Sequence, residues 1–92
     1  MEVEWDEEKA AGNAHKHGMR FEQAIAAFDD PDGFEIVDTD FDYGEERIIL
    51  MGLTAPGVVV VVYTERGVRI RIISARRASK YEREFYCRQK AQ

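Results

Sequence analysis

Apolar side chains recur with different periods along the chain, and each period predicts an element. Val3 and Trp5 alternate with Glu2 and Glu4, which suits a short edge strand. Phe21, Ala24, Ile25 and Phe28 recur at three- and four-residue spacing, the stripe of a short helix. Phe34 to Val37 and Arg47 to Leu53 read as paired strands. Val58 to Val62 is apolar at every position and β-branched throughout, which predicts a strand covered on both faces and central in its sheet. Val68 to Ala75 resumes as a further strand after the break at Glu65-Arg66-Gly67.

Polar residues punctuate these runs. Asp6 is placed to cap a helix that carries Glu7 and Glu8 in its first turn and ends at Gly18. Within it Lys9, Asn13, Lys16 and His17 form a polar stripe that reads as a solvated face. Asp29-Asp30-Pro31-Asp32-Gly33 and Ala55-Pro56-Gly57 mark turns. Ser79-Lys80-Tyr81-Glu82 is a capping box that opens a last helix reaching about Gln89, with Tyr81 and Phe85 in apolar contact. The order is β-α-α-β-β-β-β-α, an α+β domain spanning 1–92 on a small, mainly antiparallel sheet flanked by helices. For the last hairpin a three-residue loop with Gly67 left-handed is preferred. It pairs Tyr63 with Arg69 and Val61 with Arg71, and puts Tyr63, Arg69, Arg71 and Arg77 on one face. A two-residue turn at Arg66-Gly67 is the alternative, but it forces Arg66 to positive φ.

Charge changes the picture more than composition does. The net charge is −5, yet residues 1–46 hold 15 acidic and 3 basic side chains, whereas residues 47–92 hold 3 and 10. Eight of the nine arginines lie in the second half. Their fixed fork suits phosphate better than an ammonium does. Such asymmetry predicts two surfaces with different partners, or two halves that attract one another across the fold. No apolar run approaches the roughly 20 residues of a membrane span, and the acidic start is unlike a signal peptide. The single cysteine, Cys87, excludes an internal disulfide and reads as packing in the last helix; with these features a cytoplasmic location is expected.

Several chemistries find no support in the spacing. His15 and His17 point to different sides of a helix, so a metal site is not expected. Asp38, Asp40 and Asp42 resemble the start of a calcium loop, but Tyr43 and Ile49 occupy its glycine and closing-glutamate positions. No glycine-rich phosphate loop and no serine triad can be built. What remains is a set of arginines near one sheet edge, with His17, Tyr63 and Glu65 available for proton transfer. That set fits cleavage of RNA without metal or other cofactor, in which guanidinium groups stabilise charge developing on phosphorus.

The segments EWDEEKAAGNAHKHG, FEQAIAAFDDP, GEERIILMG, VVVVYTERG and RIISARRAS, in this order and spacing, resemble the BrnT family of bacterial type II toxins along essentially the whole chain. The resemblance implies a RelE-like fold and a ribonuclease that arrests growth. It also implies a BrnA-like ribbon-helix-helix antitoxin as partner, a toxin–antitoxin hetero-oligomer, and operator DNA contacted only through the antitoxin. The family's polar signature falls on Lys16-His17, Glu46-Arg47, Tyr63-Thr64-Glu65-Arg66 and Arg76-Arg77. Arg20 stands where the family often has a small capping residue, and Ile48 where an aromatic often follows Arg47. The expected catalytic set is His17, Arg47, Glu65, Arg76 and Arg77. Lys16, Tyr63, Arg66, Arg69, Arg71 and Lys80 would bind RNA. A competing reading makes the arginine face an antitoxin-binding surface of a non-catalytic interaction module, and a weaker one makes it a direct DNA contact.

Overall fold

Local signals set the ends of the helices in the computed structural model, which describes residues 1–38 and 44–91. The chain runs β1 (Glu2–Trp5), α1 (Glu7–His17), α2 (Phe21–Ala24) leading into a 3-10 turn (Ile25–Asp29), β2 (Phe34–Asp38), β3 (Arg47–Thr54), β4 (Gly57–Arg66), β5 (Arg69–Arg77) and α3 (Lys80–Lys90). Asp6 accepts from the Glu8 and Lys9 amides at the start of α1, and Gly18 closes it at φ 65. Ser79 and Glu82 satisfy each other's backbone at the start of α3. Asp40 and Asp42, two of the three aspartates weighed as a calcium loop, lie outside the described residues.

The strands form one sheet in the order β1-β5-β4-β3-β2. The valine strand β4 is therefore central, as its unbroken apolar run predicts. β1 runs parallel to β5 at one edge, and the other neighbours are antiparallel.

The β4–β5 hairpin departs from the expected register. Arg66 pairs with Arg69 and Tyr63 with Ile72, so the loop is the two residues Gly67 and Val68. Within this loop the positive φ falls on Gly67, at 62°, and no described non-glycine residue takes one. A two-residue loop with glycine first has a twist that suits the flanking strands, whereas the turn at Arg66-Gly67 would strain Arg66. A second shift follows. Tyr63 pairs with Ile72 but Val62 with Ser74, which leaves Ile73 as the extra residue of a bulge. Beyond the bulge the alternation of β5 is inverted, with consequences for its arginines.

One face of the sheet is sealed. Phe21, Ala24 and Ala27 pack there on Leu50, Val59, Val61, Tyr63, Ile72 and Ala75. The 3-10 turn lies so close to β3 that a methyl on Gly52 would stand 2.6 Å from the Ala27 carbonyl oxygen. Asn13, read from its stripe as solvated, is 7% exposed. Its Nδ2 donates to the Ala75 and Met19 carbonyls at 2.7 and 2.9 Å, and its Oδ1 accepts from the Ala75 amide at 3.1 Å. The side chain acts as a strand partner for β5 just where β1 ends, at Trp5 opposite Ile72.

The opposite face is covered only at one end. There Tyr86 of α3 lies against Met51, Val58, Val60 and Ala78, with Phe34 and Phe85 alongside. Asp30 pins the helix: it accepts from the Leu53 amide at 2.7 Å, the Asp32 amide at 2.9 Å and the Tyr86 hydroxyl. Burial alone would raise the Asp30 carboxyl, but these donors outweigh it and leave its pKa below the ordinary value. Cys87 does not pack; it is exposed on α3. No helix among the described residues is long and apolar enough to cross a membrane.

Candidate functional site

The open half of the sheet is built from rows of side chains that cross its strands. Next to α3 comes a row of Ser74, Val62, Ile49 and Ile36 on β5, β4, β3 and β2. These are half-buried or exposed, Ile36 at 45%. The next row outward is polar. It has Glu4 on β1, Arg71 on β5, Thr64 on β4, Arg47 on β3 and Asp38 on β2. Arg69 and Arg66 follow at the hairpin tip. On the α3 side, Arg76 shares its row with Val60.

The bulge at Ile73 makes this arrangement. Arg71 and Arg76 differ in parity, so in an uninterrupted strand they would face opposite ways. The extra residue returns both to the open face and sends Arg77 to the other side. The expectation that Arg77 shares a face with Arg69 and Arg71 is thus corrected, and Arg76 takes its place. At about 3.3 Å per residue and 4.8 Å per strand, Arg71, Arg47 and Arg76 frame an apolar strip roughly 10 by 13 Å.

Carboxylates hold four of these arginines. Arg76 meets Glu82 in two parallel bonds of 2.7 and 2.8 Å, an aligned fork. The Arg76 guanidinium, followed by the Ser79 amide, holds the Glu82 carboxyl at about 2 against the opposing effect of burial. The same bond raises Arg76 further above its ordinary value. Glu4 takes Arg71 at 2.6 Å and Arg69 at 3.4 Å, and the Arg71 bond lowers its pKa. Arg66 reaches Glu45 at 3.3 Å across exposed surface. Arg47 is half-buried at the head of β3.

The remaining expected residues are elsewhere. Tyr63 belongs to the sealed face, where it packs on Phe28 and its hydroxyl donates to Glu35 at 2.7 Å. Burial and that acceptor push its pKa up, so it is a poor proton donor to RNA. Its placement with the arginines failed because the register was wrong. Glu65 shares Tyr63's parity and sits exposed beside the tip. Lys16 and His17 end α1, in the helical layer over the sealed face. Arg77 donates to the Pro56 carbonyl at 3.2 Å. Lys80 lines a hollow of about 630 Å³ on the far flank of α3, with Arg83, Cys87 and Arg88. The structure therefore gathers Arg47, Arg66, Arg69, Arg71 and Arg76, and not His17, Lys16, Tyr63, Glu65, Arg77 or Lys80. Sequence reasoning missed Glu4 as the anchor of Arg71. It read Glu82 only as a cap, although an acid six residues after an arginine across a helix start is a usable signal.

A family model described as the ribonuclease toxin BrnT of type II toxin-antitoxin systems matches residues 5–82. The chain belongs to the BrnT family. It is thus a ribonuclease toxin of the type II class, and an antitoxin is its natural partner. No curated relative matches it. The BrnT match takes in the whole sheet from Trp5 onward, the arginines of the open face and the Arg76–Glu82 fork, but stops before the rest of α3.

Proposed function

We propose that this BrnT protein cuts RNA within the strand, without a metal ion, on the open face of its sheet. The single observation that carries the reading is the set of Arg47, Arg71 and Arg76 around a half-exposed apolar strip. In the reaction the 2′-hydroxyl passes its proton to water as its oxygen attacks the adjacent phosphorus, and the 5′-oxygen leaves and takes up a proton from water, giving a 2′,3′-cyclic phosphate and a 5′-hydroxyl. The phosphorane carries more negative charge than the ground state, and fixed guanidinium groups offset it. Glu82 and Glu4 orient Arg76 and Arg71 before RNA arrives, so little reorganisation is needed in the transition state. With His17 and Glu65 off this face, charge stabilisation and alignment supply most of the acceleration, rather than an imidazole base. Arg66 and Arg69 extend the track for flanking phosphates.

The partner proposed is a BrnA-like ribbon-helix-helix antitoxin in the cytoplasm, which covers this face and carries the complex to operator DNA. The apolar side chain of Ile36, 45% exposed on edge strand β2, favours a second reading in which the rim is chiefly an antitoxin contact. Purified protein incubated with RNA in EDTA separates the two. Cleavage, lost in Arg71→Ala and Arg76→Ala but kept in Arg77→Ala and His17→Ala, supports the enzyme. No product at any protein level, with every variant folded by circular dichroism, supports the interaction module.

A further inference from the structure

Between α3 and the strands β2 and β3 runs a cleft of about 260 Å³ lined by Ile36, Met51, Tyr81, Glu82 and Phe85. Its floor and far wall are apolar. Tyr81 stands at the rim, 71% exposed, although it is one of the larger aromatic side chains of the molecule. The remaining wall is Glu82, the carboxylate that grips Arg76. An apolar slot, a free aromatic ring, a carboxylate and an adjoining guanidinium are together the complement of one nucleotide.

We propose that this cleft is a nucleobase subsite, which takes the base of a nucleotide whose phosphate rests on Arg76. The inference rests on the ribonuclease reading above and adds to it a determinant of where the strand is cut. Single-stranded RNA is read by stacking splayed bases on aromatic side chains and by hydrogen bonds to their edges. Tyr81 supplies the stacking face. Glu82 only accepts hydrogen bonds, so it favours the exocyclic amino groups of adenine, cytosine and guanine over uracil, whose single N3–H lies between two carbonyl oxygens that a carboxylate repels. The occupant is RNA rather than an antitoxin side chain because the cleft opens onto the arginine face and shares Glu82 with it. A base and its own phosphate are thereby served by neighbouring groups.

The test uses the full chain and two RNA probes of mixed sequence. One is a cleavable single strand mapped by sequencing its ends; the other is its 2′-O-methyl counterpart, which cannot be cut by 2′-hydroxyl attack, titrated by fluorescence anisotropy. Tyr81→Ala should weaken binding of the uncleavable strand by about 5- to 160-fold, the range for loss of one stacked base. It should raise KM more than it lowers kcat and flatten the preference among cleavage sites. Tyr81→Phe should keep wild-type binding and preference, because the ring and not the hydroxyl does the stacking. Unchanged affinity and an unchanged cleavage map in folded Tyr81→Ala would overturn the subsite. So would a variant whose single defect is weaker capture of the antitoxin. A wild-type protein that cuts nothing would instead overturn the ribonuclease mechanism, while Tyr81-dependent binding of the uncleavable strand would still support the subsite.

Discussion

Replacing Asn13 by alanine removes a side chain that does the work of a missing strand. Three hydrogen bonds go, and the Ala75 amide, the Ala75 carbonyl and the Met19 carbonyl lose a partner in a place water reaches poorly. Each buried polar group left unsatisfied costs roughly 1–3 kcal/mol, and partial entry of water into the small gap offsets some of it. A net loss of about 3 kcal/mol is expected. A chain of this size has a total stability of roughly 5–14 kcal/mol, so the variant should still fold, with Tm lowered by about 12–24 °C. Urea and thermal unfolding of wild type and Asn13→Ala, at equal m-value, give the number directly. Asn13→Asp sharpens the test. It keeps the acceptor for the Ala75 amide but faces two carbonyls with a buried charge, so its folded pKa rises above the unfolded value. Its stability should therefore improve as pH falls from 7 towards 4, opposite to the wild-type trend. A loss below about 1 kcal/mol in Asn13→Ala would refute the claim that this amide substitutes for a strand.

Gly52→Ala should destabilise by about 2 kcal/mol or more, because the added methyl meets Ala27 backbone that cannot move without lifting the 3-10 turn; urea unfolding measures it. Glu82 has a folded pKa of about 2 against an ordinary 4.5, so its contribution is present above pH 4.5 and lost as pH falls towards 2. With Arg76 41% exposed, screening reduces that contribution to about 1 kcal/mol, and Glu82→Gln should flatten the acid limb of the stability–pH curve by that amount. Tyr63→Phe should cost about 1 kcal/mol for the lost bond to Glu35 and leave RNA cleavage intact; a fall in kcat would return Tyr63 to the active site.

Much of this protein is written locally. The caps at Asp6, Gly18 and Ser79, the central valine strand and the order of elements follow from side-chain periods and short-range hydrogen bonds, because those forces act within a few residues. The family is likewise legible in five short segments. What the chain cannot announce is which face a residue shows once a strand is paired. That depends on two events decided by tertiary packing, the two-residue turn at Gly67-Val68 and the extra residue at Ile73. A one-residue slip inverts every side chain beyond it. Hence Arg76 joins Arg71 while Arg77 leaves, and Tyr63 sinks into the sealed core. Asn13 looks like any polar residue on a helix until β1 stops at Trp5 and leaves Ala75 in need of a partner. Local chemistry settled which elements form, and the long-range pairing of strands settled which of their charges meet.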